Sequence, residues 1–208
     1  IATGNHFLFD TLRTGPTKVL GSNQTIAEYS NGDLALGTNQ FTVGDNAGGD
    51  DYNPNKNLST YVAWLWKANG AAVSNTNGTI TSQVSANQTA GFSIVTYTGT
   101  GANATVGHGL GVAPKMVIVK NRGGTDNWIV GHTSIGWTDV LNLNLTNAKT
   151  TTITGWNNTA PTSSVFSIGT FFAVGSNNVA YCFTDVPGYQ KIGSYTGNGS
   201  ADGPFVFC

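Results

Sequence analysis

The chain has 208 residues, a net charge of -1 and only 9% charged side chains, against 39% hydrophobic and 11% aromatic ones. That length admits one large β domain or two modules of roughly 100 residues, and the apolar content excludes a disordered chain. With no basic stripe there is no electrostatic basis for nucleic-acid binding, no apolar run approaches the roughly 18 residues of a membrane helix, and no signal-peptide pattern opens the chain.

Few helix formers, many β-branched and aromatic residues and frequent Asn-Gly turns predict an all-β chain. Residues 6–10, HFLFD, read as a short strand with Phe7 and Phe9 on one face. A polar stretch follows, with Asn31-Gly32 as a turn, and FTVG at 41–44 starts another strand. Beyond an acidic, Asn-rich loop, residues 61–66 (YVAWLW) carry the strongest strand pattern of this half, with Val62, Trp64 and Trp66 on one face. Residues 71–90 are small and polar; they suit a linker or an exposed hairpin, and the alternation around Ile80 and Val84 favours strand. Residues 91–120 read as two strands joined by a glycine-rich connection. The first, 93–98, carries Ile94, Val95 and Tyr97; the second, 115–120, holds the run Met116, Val117, Ile118, Val119. With both pleat faces apolar, the second suits a strand covered on both sides.

The order then recurs. NWIV at 127–130 answers residues 6–9, FSIG at 166–169 answers 41–44, and NVAYCF at 178–183 answers 61–66. Val179, Tyr181 and Phe183 thereby take the face held by Val62, Trp64 and Trp66, and YTGTG at 97–101 is matched by YTGNG at 195–199. Strand phase is kept at three strands, although a slip of one residue would exchange the two faces. The expectation is an antiparallel β-sandwich built from a duplicated module. Residues 1–90 are the later part of one module plus a linker, 91–189 one full module, and 190–208 the opening strands of a further one. Residues 204–208 read as a terminal apolar strand that pairs with the N-terminal half of the same chain, closing a domain, or with another chain.

Chemistry is sparse. The carboxylates, with Glu28 the only Glu, are scattered through Gly- and Asn-rich turns. No spacing identifies the pair that a glycosidase holds about 5–9.5 Å apart. His6, His108 and His132 lie in no metal or triad motif, the glycines at 107–111 lead into a strand and so make a turn, and a non-enzymatic chain is expected. The one metal candidate is the loop DNAGGDDYNPN, where Asp45, Asp50, Asp51, Asn53 and Asn55 offer hard oxygens suited to Ca²⁺. DYNPN distantly resembles a legume-lectin metal loop; a solvated loop is the plainer reading, and no other cofactor is expected. Trp137 and Trp156 sit in polar surroundings and are candidates for a sugar-binding platform, with core packing as the alternative. Cys182 lies in an apolar strand pattern and is expected to be an inert core thiol.

Three long phrases carry a family resemblance: YVAWLWKANG at 61–70, GFSIVTYTGTGANATVGHGLGVAPKMVIVKNR at 91–122, and VAYCFTDVPGYQKIGSYTGNGSADGPFVF at 179–207. They resemble a repeat domain of uncharacterised function found in tail-fibre and other virion proteins of marine bacteriophages, and the resemblance covers nearly the whole chain. Members of that family continue past GPFVF into another strand. The resemblance implies a structural component of a virion, exposed on the particle surface as tail fibre, appendage or decoration. It implies other virion proteins and further copies of itself as partners, and no catalytic residue. The alternative function is a lectin-like module that binds host-surface glycans; neither membrane insertion nor a nucleic-acid partner is expected.

Overall fold

The apolar run at 115–120 forms a strand buried on both faces, as its pattern predicts. The computed structural model describes residues 4–13, 18–32, 34–37, 40–44, 53–173 and 175–207, and in it this run is β10 (Met116–Asn121). Val117 and Val119 point into one apolar cluster, while Met116 and Ile118 pack against a second cluster on the other side. The period of two that places successive side chains on opposite faces accounts for this division.

Around β10 runs an eight-stranded antiparallel sheet. Its spatial order is β13 (Thr150–Thr151), β12 (Gly136–Asn142), β11 (Ile129–His132), β10, β15 (Asn177–Phe183), β8 (Phe92–Thr98), β7 (Ser82–Asn87) and β6 (Val73–Asn75). β15 is central, pairing Tyr181 with Ile118 of β10 on one side and with Ile94 of β8 on the other. The same alternation sends Val179, Tyr181 and Phe183 to one face and Ala180 and Cys182 to the other. Cys182 is a buried thiol, as expected, and burial pushes it up to about 12. Residues 71–90 hold a hairpin, in which β6 and β7 pair, but not an exposed one, because Val84 enters the core.

A different layer covers each face. On one side β9 (Ala104–Gly107) pairs antiparallel with β14 (Val165–Ile168), beside the single-turn helix α1 (Ile153–Trp156). Val106, Phe166, Ile168 and Trp156 of this layer meet Val95, Tyr97, Val117, Val119 and Cys182 of the sheet. On the other side the N-terminal strands β1 (Phe7–Leu8), β2 (Lys18–Gly21) and β3 (Tyr29–Ser30) form a three-stranded sheet. It sets Leu8, Leu12 and Leu20 with Phe92, Ile94, Trp128, Val179, Tyr181 and Phe183. The architecture is thus all-β, antiparallel and sandwich-like. A separate hairpin joins β4 (Leu34–Leu36) to β5 (Phe41–Val43). Gly131 of β11 allows a close approach that no other residue permits: a Cβ there would lie 2.4 Å from Trp137 and 2.6 Å from Trp156.

Segments that share a sequence pattern are alike in the structure at some strands and unlike at others. β1, β2 and β3 neighbour one another in the order of β11, β12 and β13. Residues 61–66, however, form no strand, and Val62, Trp64 and Trp66 are 76%, 77% and 50% exposed instead of facing a core. The same apolar alternation in β15 is a strand because β8 and β10 supply both of its ladders. Residues 61–66 have no ladder among the described residues, and an extended segment without one leaves its peptide groups to water. Residues 204–207 likewise form no strand and leave Phe205 and Phe207 exposed, and Cys208 lies outside the described residues. Ile192 is partly buried against the second apolar cluster, without a ladder.

Candidate functional site

The chemistry-bearing groups meet where the N-terminal layer joins the large sheet. Asp10 turns the chain after β1, its Oδ1 accepting the backbone N–H groups of Leu12 and Arg13 at 2.9 Å each. Its Oδ2 accepts from Arg13 Nε at 2.6 Å and from the Tyr181 hydroxyl at 2.5 Å. Arg13 also donates to the Leu8 carbonyl at 2.8 Å and to Glu28 Oε2 at 3.3 Å. Arg122, at the end of β10, then grips Glu28 with two bonds of 2.9 Å, one to each carboxylate oxygen. Two acids and two bases are neutralised together, and Arg13 is only 1% exposed.

Burial pushes the Asp10 carboxyl up, but the Arg13 charge, the Tyr181 hydroxyl and the Arg13 N–H groups together hold it below its usual 3.8. Burial likewise acts against the Glu28 carboxylate, and the Arg122 hydrogen bond and charge outweigh it, so this group also lies below its ordinary value. Tyr181 is driven well above the normal phenol by burial first and by the Asp10 charge second. A hydroxyl so placed stays protonated and donates. The cluster therefore fastens chain segments together; both acids are saturated with donors and neither is poised to move a proton.

Lys120 plays a comparable part from β10. Its Nζ donates to the carbonyls of Thr25, Asn121 and Gly124 at 3.1, 2.9 and 2.8 Å, matching three N–H groups with three acceptors. Burial lowers it to about 8, with Asp126 acting in the opposite direction. Lys120→Met is expected to cost about 2–4 kcal/mol, because three carbonyls lose their donor in a buried place. Urea denaturation measures this, and a loss under about 1 kcal/mol would show that the carbonyls find other donors.

His108, wholly buried in the loop after β9, accepts from the Leu110 N–H at Nδ1 (3.2 Å) and donates from Nε2 to the Thr162 carbonyl (3.2 Å). Burial lowers its pKa below 6.5, the Thr162 hydrogen bond opposing. Because the folded value is the lower one, the unfolded chain takes up the proton first. Stability is then complete above about pH 6.5 and falls as the pH drops towards the folded value. His108→Gln is expected to flatten this slope in melting temperature against pH, and an unchanged slope would rule out His108 as its source.

Several residues singled out in the sequence are placed otherwise. Trp137 and Trp156 are 9% and 0% exposed and meet edge to face at 5.4 Å, so neither presents a ring to a sugar; a polar sequence neighbourhood did not keep them at the surface. Of the metal candidates, Asp45, Asp50 and Asp51 lie outside the described residues. Asn53 Oδ1 accepts the Asn55 N–H at 2.8 Å, closing a local turn. Among the described residues no group of three His, Cys, Asp or Glu side chains comes together around a metal position, and no helix is long and apolar enough to cross a membrane. His6, His108 and His132 do not converge.

The sequence reading missed the charge cluster. Its members stand 15, 94 and 171 residues apart along the chain; the Asp10–Arg13 spacing and the solitary Glu28 were the only local signs. Next to Arg122 opens a polar groove of about 180 Å³, lined by Gln83, Thr96, Thr98, Arg122 and Asn177. Residues 1–208 match the model of a family described as "Domain of unknown function (DUF7483)". Neither a curated protein nor a solved structure matches the chain.

Proposed function

We propose, for a chain that belongs to the DUF7483 family along its whole length, a structural role in a bacteriophage virion, as part of a tail fibre, an appendage or the surface decoration, without enzymatic activity. The observation that carries this reading is the use made of buried charge. Asp10, Arg13, Glu28, Arg122 and Lys120 tie the N-terminal strands to the large sheet, and residues 61–66 and 205–207 leave uncharged, largely apolar side chains exposed, which suits assembly into a larger body. The resemblance of 61–70, 91–122 and 179–207 to repeats of virion proteins points the same way. Peptide mass spectrometry of purified particles and antibody labelling of intact ones test it. Labelling of the tail or surface is expected; a chain found in infected cells and never in particles overturns it.

The groove beside Arg122 favours a second reading, a module that binds host-surface glycans, because its neutral amides and hydroxyls are the donors and acceptors a sugar needs. Binding to a glycan array that Asn177→Ala and Gln83→Ala both abolish is the result it requires.

A further inference from the structure

The groove beside Arg122 is built from one face of four neighbouring strands. Gln83 of β7 stands opposite Thr96 of β8, and Thr98 of β8 stands opposite Asn177 of β15. Arg122, just past β10, continues the row, because its backbone N–H donates to the Asn177 carbonyl at 2.7 Å. With neighbouring strands about 4.8 Å apart, the row runs for roughly 14 Å. Gln83, Thr98 and Asn177 are exposed, while Thr96 and Arg122 are partly buried. Among the described residues that line the groove, Arg122 is the only charged one.

The Arg122 side chain is held in place from one side only. Glu28 takes its Nε–H and one N–H of Nη2, both at 2.9 Å, and the Glu28 backbone N–H donates to the Arg122 carbonyl at 2.7 Å. Nη1 and the second N–H of Nη2 have no partner among the described residues. Those two nitrogens make the end edge of the guanidinium, a second pair of parallel donors. Glu28 does not belong to Arg122 alone, since its Oε2 also accepts from Arg13 at 3.3 Å. No carboxylate lines the groove among the described residues, and Asp126, which acts on Lys120, is bonded to Asn121 Nδ2 at 2.7 Å.

We infer that the groove takes an acidic glycan, with the open edge of Arg122 binding the carboxylate of a uronic acid and Gln83, Thr96, Thr98 and Asn177 taking the sugar hydroxyls. This names the sugar class for the glycan-binding reading and rests on that reading. A carboxylate sets two coplanar oxygens against two parallel N–H groups, which adds direction to the attraction of charge. A guanidinium fixed beforehand by Glu28 loses little freedom when the anion arrives. A neutral sugar laid over Arg122 strips water from these N–H groups and returns no charged acceptor, so it binds less well. The groove thus selects by charge at one end and by hydrogen bonding along the rest.

A glycan array tests it on the full chain, carrying oligomers of galacturonic, glucuronic and mannuronic acid, the same oligomers as methyl esters, sulfated chains and neutral chains. Retention of an oligouronate is expected, with its methyl ester bound about tenfold more weakly or worse and the preference fading as salt is raised. Arg122 is left intact, because its removal also strips Glu28. Instead Thr98→Asp places a carboxylate in the groove at an exposed position. It is expected to weaken the oligouronate by about tenfold or more at an unchanged melting temperature, while Thr98→Asn retains it. Equal binding of acid and ester, lost in Asn177→Ala, leaves the groove a glycan site and overturns the acidic class. Retention of sulfated chains alone overturns it too, as does oligouronate binding that Thr98→Asp leaves unchanged. A chain that retains no glycan at all overturns both this inference and the reading beneath it.

Discussion

Arg13→Met is expected to destabilise the chain by about 3–5 kcal/mol at neutral pH, the cost of breaking a buried ion pair from one side. The Asp10 carboxylate keeps the Tyr181 hydroxyl and two backbone N–H groups but loses the guanidinium that outweighs its burial. Glu28 keeps Arg122, and the Leu8 carbonyl loses its donor. The direction with pH separates this from a loss of packing. In the native chain Asp10 has a depressed pKa, so its stabilisation is present above about pH 4 and is lost as the pH falls through the folded value. In the variant the isolated carboxylate gains by taking up a proton, and the penalty shrinks in acid. Urea unfolding of both chains at pH 7 and pH 4 measures the difference; a penalty equal at both pH values assigns the effect to the lost side-chain volume alone.

The two fully buried tryptophans are expected to respond differently to removal of the indole nitrogen. Trp156→Ala empties the contact with Trp137 and Phe172 and should cost about 3–5 kcal/mol. Trp156→Phe should cost far less than this, because its Nε1 is buried without a hydrogen-bond partner and the loss of that N–H orphans nothing. Trp128 is the opposite case. Its Nε1 donates to the carbonyls of Gly21 at 2.8 Å and Gln24 at 3.1 Å, and its ring stacks on Tyr181 at 6.4 Å. Trp128→Phe leaves both carbonyls without that donor and loosens the N-terminal strands, an added cost of about 1–3 kcal/mol over the volume change. Thermal unfolding of both Phe variants decides the matter, and equal losses would refute it.

A purely local reading succeeded where local pattern is sufficient. The both-faced run of β10 could be read from the sequence because the residues that face each cluster are encoded next to one another, and Val117 and Ile118 demand cover on opposite sides wherever the strand is placed. Composition alone settled the all-β class, since β-branched and aromatic residues with Asn-Gly turns leave little to build helices from.

Tertiary structure decided the rest. Residues 61–66 and 178–183 carry the same pattern, and only the second is a strand, because a ladder is formed with segments far away along the chain and its presence is no property of the segment itself. Trp137 and Trp156 looked alike in polar surroundings; their burial came from α1 and β12 folding against Gly131, which has no side chain to keep the rings out. The charge cluster joins residues 94 and 171 positions apart, and a buried ion pair exists only once the fold has removed water from both partners. Sequence determined the strands' faces; which strands find neighbours, and which charges lose their water, was determined by long-range pairing.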